Sequence, residues 1–115
     1  MVDEDLDINK RKFKSKYNKS LEELGYTLFG EDGYMYDFEI VYNYTGDDIR
    51  LKWTNIKVRY YELLDKKYLK ITFSIPSPSQ EFEFENMNEF IKFLKYVYAH
   101  PKDDLSSCFE NYREW

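Results

Sequence analysis

Hydrophobic and polar positions alternate most strictly over residues 34–44, where Tyr34, Tyr36, Phe38, Ile40, Tyr42 and Tyr44 share one parity and mostly polar residues the other. Successive side chains of a strand point to opposite faces, so this run predicts a ribbon with one aromatic face and one wetter face. Shorter alternating runs follow at residues 49–53, 56–63, 68–75 and 81–85. Residues 45–48, Asn55 and residues 65–67 supply turn chemistry between them. Residues 76–80 hold two prolines and are read as a loop, because proline cannot donate to a ladder. Residues 26–29 predict a further short strand, and residues 30–33, with a glycine at each end, a turn into the ribbon. Such short connections predict an antiparallel meander of about five strands.

The pattern changes to helical spacing at both ends. Leu6, Phe13, Tyr17, Leu21 and Leu24 fall in one sector of a helix over residues 1–25. Asp3 or Asp5 is placed to cap it, Gly25 to end it in a left-handed conformation, and its first turn is expected to fray. Asn86 with Glu89 has the spacing of a capping box and opens a second helix with Met87, Phe90, Ile91, Leu94, Val97 and Tyr98 as its stripe. Leu105, Cys108, Phe109 and Tyr112 predict a short tail helix whose N-terminus suits Asp103 and Asp104. The expected class is α+β. One domain over residues 1–115 has an N-terminal and a C-terminal helix packed on one face of the sheet, plus the short tail helix.

The other face then carries Asp37, Glu39, Arg50, Lys52, Lys57, Arg59, Lys70, Glu81, Glu83 and Glu85. Opposite charges on neighbouring strands support pairing, and a solvated face accounts for them.

Composition adds three points. Hydrophobic content of 43% and charged content of 34% fit a globular chain. No apolar run reaches the roughly 20 residues that cross a bilayer, and the acidic start lacks a signal core, so a cytoplasmic protein is expected. The single cysteine leaves no internal disulfide framework. Net charge is −5 and uneven: residues 1–9 hold four acids and no base, residues 10–19 six bases and no acid. Alanine occurs once while Lys, Asn, Tyr, Ile and Phe abound, a codon bias expected of an AT-rich bacterial or phage genome.

Catalytic chemistry is sparsely represented. His100 ends a helix before proline, where a cation complements the dipole. Cys108 lies on an apolar stripe, and the pairs Glu31/Asp32, Asp47/Asp48 and Asp103/Asp104 have turn or cap spacing. Neither phosphate-binding glycine pattern occurs. No enzyme, metal or cofactor is therefore expected.

Two features point to partners. Twelve tyrosines exceed what one sheet–helix interface hides, since each buried hydroxyl needs a partner. Tyr44, Tyr61, Tyr68, Tyr96 and Tyr112 are expected at a protein-binding surface, with Asp37, Glu39, Glu81, Glu83 and Glu85 as acidic contacts. The expected function is a stoichiometric inhibitor of another protein: a toxin-immunity protein, or a phage anti-defence protein directed at a basic nuclease or nucleic-acid-binding protein. The alternative is a nucleic-acid-binding module using Lys10, Arg11, Lys12, Lys14, Lys16 and Lys19 on the first helix. An uncovered edge strand leaves homodimerisation open.

Overall fold

The computed structural model describes residues 9–52, 54–63, 66–76 and 79–115. Helix α1 (Lys10–Glu23) precedes five strands, β1 (Tyr26–Tyr34), β2 (Asp37–Tyr44), β3 (Asn55–Leu63), β4 (Lys66–Pro76) and β5 (Ser79–Phe84). Helices α2 (Met87–Ala99) and α3 (Leu105–Asn111) follow, with a 3-10 turn over Tyr112–Glu114. The strands form one sheet in sequence order, and every neighbouring pair is antiparallel. The α+β meander is as expected.

Alternation decides the two faces. Phe38, Ile40 and Tyr42 of β2, Ile56, Val58 and Tyr60 of β3, Leu69, Ile71 and Phe73 of β4, and Phe82 and Phe84 of β5 point to one side and are buried. Against them pack Phe13, Tyr17 and Leu21 of α1, Met87, Phe90, Phe93, Leu94 and Val97 of α2, and Leu105 and Cys108 of α3. Phe93, off the expected stripe of α2, is wholly buried, whereas Tyr98 is exposed. The aromatic sum is large. Phe93 alone has Phe73, Phe82, Phe84, Phe109 and Tyr112 at ring-centroid separations of 5.3–6.0 Å.

Helix ends follow the expected capping. The Asn86 side chain accepts the Glu89 N–H at 3.0 Å, and Asp104 accepts that of Ser107 at 2.7 Å. Gly25 follows α1 at φ +95°, a left-handed conformation that suits a residue without Cβ. Asn9, however, caps α1, through its side chain and the Lys12 N–H at 2.9 Å. Asp3, Asp5 and Leu6 lie outside the described residues.

Three segments depart from the sequence reading. Residues 30–33 extend β1 to Tyr34, and the chain reverses in a two-residue turn at Met35 and Tyr36. Tyr34 and Tyr36 therefore leave the inner face. Residues 49–52 form turns rather than a strand: Leu51 is buried, Ile49 is 81% exposed, and Arg50 points beneath the end of α2. Trp53 lies outside the described residues. Finally, β4 continues to Pro76 and β5 starts at Ser79, whose backbones pair, so residues 76, 79 and 80 of the expected loop belong to strands; residues 77–78 lie outside the described set.

Candidate functional site: an uncovered sheet face and a hairpin end

Among the described residues the helices pack on the inner face, and none of them covers the outer one. Register places the outward residues. Tyr34 opposes Asp37, Glu39 opposes Arg59, and Tyr61 opposes Tyr68. The Arg59 guanidinium joins these rows: Nη1 lies 2.8 Å from Asp37 Oδ1, and the group sits 5.1 Å from the Tyr61 ring centroid. Tyr61 in turn stacks on Tyr68 at 5.0 Å with the planes 20° apart. An aromatic and guanidinium band thus crosses four strands at one end of the sheet. The half-buried Arg59, Tyr61 and Tyr68 form its middle, and Tyr34, 86% exposed, forms its margin.

Acids on this face alternate with bases. Glu39 Oε2 lies 4.0 Å from Lys57 Nζ, and Glu83 Oε1 3.8 Å from Lys70 Nζ. With Asp37 held by Arg59, three of the acids expected to contact a partner already face a cation. Glu81, Glu83 and Glu85 are exposed along the β5 side. Interleaved signs make a poor copy of a phosphate backbone, which is uniformly negative.

Next to the band, the β1–β2 hairpin end exposes Tyr34, Met35 and Tyr36; Met35 is 57% and Tyr36 48% exposed. Phe29 is also exposed, at a register shift between Leu28 and Gly30. The end is tied to α1: the Lys10 N–H donates to the Met35 carbonyl and Lys10 Nζ to that of Gly33, both at 2.9 Å. Lys10 and Lys14 also hold Glu31, at 3.2 and 2.5 Å. The hydrogen bond from Lys14, followed by that from Lys10, keeps the Glu31 carboxyl below the ordinary range despite partial desolvation.

The remaining expected partner residues scatter. Tyr112 is fully buried, its hydroxyl donating to Glu89 Oε1 at 3.2 Å, because the tail helix turns it toward Phe84 and Phe93. It is therefore a core residue. Tyr44 is half-buried, its ring against Gly25 and Gly46, and it accepts the Asp48 N–H at 2.9 Å. It lines an open depression of about 160 Å³ with Thr45, Gly46 and Lys52. Tyr96 is stacked under His100 at 3.9 Å, and Trp115 meets both rings edge-on. Of the five tyrosines expected at a surface, only Tyr61 and Tyr68 are brought together. Tyr34 and Tyr36 were missed; their parity within an aromatic run concealed them, and only the turn position sets them apart.

The basic run divides similarly. Lys10 and Lys14 face Glu31, and Lys16 lies 5.2 Å from the Tyr17 ring centroid. Arg11, Lys12 and Lys19 are exposed. Cys108 is buried, and burial pushes its thiol up, away from the thiolate that nucleophilic chemistry uses. His100 Nδ1 donates to the Tyr96 carbonyl at 2.9 Å. Among the described residues no three His, Cys, Asp or Glu side chains converge as a metal site, and no helix is long and apolar enough to cross a membrane. Comparison with family models, with curated proteins and with solved structures returned no match.

Proposed function

We propose that the protein acts by binding another protein, as a stoichiometric inhibitor, through its uncovered sheet face. The observation that carries this reading is the Arg59–Tyr61–Tyr68 stack, with Tyr34 beside it, on a face that the helices leave open. Tyrosine and arginine dominate binding hot spots because each offers a large contact area with few rotatable bonds or a rigid fork of donors. The stack fixes these side chains before contact, which lowers the ordering cost of association. A net charge of −5 favours encounter with a basic partner, and a nuclease or nucleic-acid-binding protein is the class proposed. The AT-rich codon bias motivates a bacterial or phage setting, as an immunity or anti-defence protein acting in the cytoplasm.

The test is capture from a nuclease-treated lysate of a low-GC bacterium, comparing the native chain with a Tyr61→Ser/Tyr68→Ser variant. One stoichiometric protein should survive nuclease treatment with the native chain and be lost with the variant. Capture of nucleic acid from untreated lysate, with no protein surviving nuclease treatment, would reject protein binding.

The alternative, nucleic-acid binding by α1, has one observation in its favour. Its bases occupy the first turns and Glu22 and Glu23 the last, opposite to the arrangement that the helix dipole favours. Arg11, Lys12 and Lys19 are the exposed bases left for phosphate contact. That reading requires binding to fall steeply with salt.

A further inference from the structure

We propose that the β1–β2 hairpin end is the part of this surface that enters the partner. Tyr34, Met35 and Tyr36 fill an apolar cleft of a partner protein, and Arg11 and Lys12 meet carboxylates on the cleft's rim. The inference rests on the protein-binding reading and adds to it which element inserts and what chemistry receives it.

Shape is the first ground. A two-residue turn projects three consecutive large side chains, all substantially exposed, at a point where two strands end. Such a convex group buries most of its area in a concave site and little of it on a flat one. Exposed apolar groups so concentrated mark interaction sites in folded proteins.

Rigidity is the second. Gly33 has φ +94°, and a Cβ there would collide with the Asp37 carbonyl oxygen and lie 2.9 Å from Phe38 Cα. Its N–H donates to Asp32 Oδ1 at 2.8 Å, and Lys10 ties both the Gly33 and Met35 carbonyls to the first turn of α1. Three hydrogen bonds therefore hold the end before any partner arrives. A preformed tip loses little conformational freedom on binding.

The strand itself argues for side-chain insertion over strand addition. The β1 strand lies at the edge of the sheet, and the irregularity between Leu28 and Gly30 breaks its ladder. Bulges on edge strands obstruct pairing with a further chain. Backbone contact is thus discouraged while the aromatic side chains stay accessible.

Charge identifies the rim. Because the Lys10 N–H bonds Met35, the first turn of α1 lies at the tip, and its next two residues, Arg11 and Lys12, are exposed. Their position near the helix N-terminus opposes the dipole, so helix stability does not account for them. Carboxylates on the partner beside the cleft would complement them. The overall negative charge governs long-range approach, whereas these two act at contact.

The experiment uses the full chain carrying the photo-crosslinker p-benzoylphenylalanine at position 35, at position 68, or at the exposed Lys95 of α2. Each is irradiated in the nuclease-treated lysate. Capture by Tyr34→Ser/Tyr36→Ser and by Arg11→Glu/Lys12→Glu is measured in parallel, and circular dichroism checks that each variant is folded. The expected result is a crosslink from position 35 to the same protein that the native chain captures, and none from position 95. Capture should fall by about tenfold or more in the tyrosine variant and clearly in the charge-reversal variant, with unchanged dichroism. A crosslink confined to position 68, with full capture by the tyrosine variant, would overturn the tip while leaving protein binding intact. Absence of any protein captured by the native chain would overturn both.

Discussion

The Arg50 guanidinium donates all five of its N–H groups within the protein. Nε and Nη2 reach the Asp48 carboxylate at 3.0 and 2.6 Å, Nη2 also reaches the Val97 carbonyl at 2.8 Å, and Nη1 reaches those of His100 and Asp103 at 2.8 and 2.7 Å. The carbonyls at a helix C-terminus have no partner within the helix, and a cation there also complements the dipole. One side chain thus closes α2 and fixes the turn toward α3. Arg50→Lys keeps the charge but lacks the fork, leaving several acceptors unsatisfied, and should cost roughly 2–4 kcal/mol in urea unfolding. Asp48 is held below the ordinary carboxylate range, first by the hydrogen bond from Arg50 and against partial desolvation. A depressed native value means that this stability is complete above the ordinary aspartate value near 4 and is lost as pH falls through the lower native one. The urea midpoint of the native chain should therefore fall more steeply below that value than that of Asp48→Asn. Parallel curves would show that the pair contributes nothing. None of this was legible in residues 49–53, whose alternation reads as a strand. The acceptors lie 47–53 positions further along the chain.

At the scale of elements, most of the organisation could be read locally. Period-two runs located β2 to β5, and the Asn86–Glu89 spacing located the start of α2, because both signals lie within a few residues. What misled was β1, where residues 30–33 carry turn composition. There the glycines serve a bulged edge and a tight reversal, and the Lys10 ties that hold the end come from α1, more than 20 positions earlier. Two predictions follow the same geometry. Gly33→Ala forces a Cβ into backbone at positive φ and should destabilise by at least about 1 kcal/mol, read as a lower thermal midpoint. Lys12→Glu reverses an unfavourable dipole interaction and should raise stability by roughly 0.3–1 kcal/mol. A midpoint that does not rise would mean that the first turn of α1 is stabilised by its bases after all.

For the molecule as a whole, aromatic residues divide into two populations that composition could not separate. The inner set is one network. Phe93 links β4, β5, α2, α3 and the final 3-10 turn through its five ring neighbours. In the outer set Tyr61 stacks on Tyr68, and Tyr34 and Tyr36 stand exposed at the hairpin end. Counting tyrosines predicted a surplus at the surface, but which ones were surplus depended on strand parity and on where β1 ended. It follows that stability and partner binding should respond to different substitutions. Phe93→Ala removes a fully buried ring among rigid neighbours, so its cavity cannot collapse, and should cost about 3–5 kcal/mol. Its effect should extend to α3 and the terminal Trp115, whose edge-on contacts with Tyr96 and His100 are then lost, read by its fluorescence, at lower urea than in the native chain. Tyr61→Ser/Tyr68→Ser removes a half-buried stacked pair on the open face and should cost about 1 kcal/mol, while abolishing capture of the partner. A stability loss in the outer pair as large as that of Phe93→Ala would assign the outer tyrosines to the fold, and the open face would then carry no argument for binding.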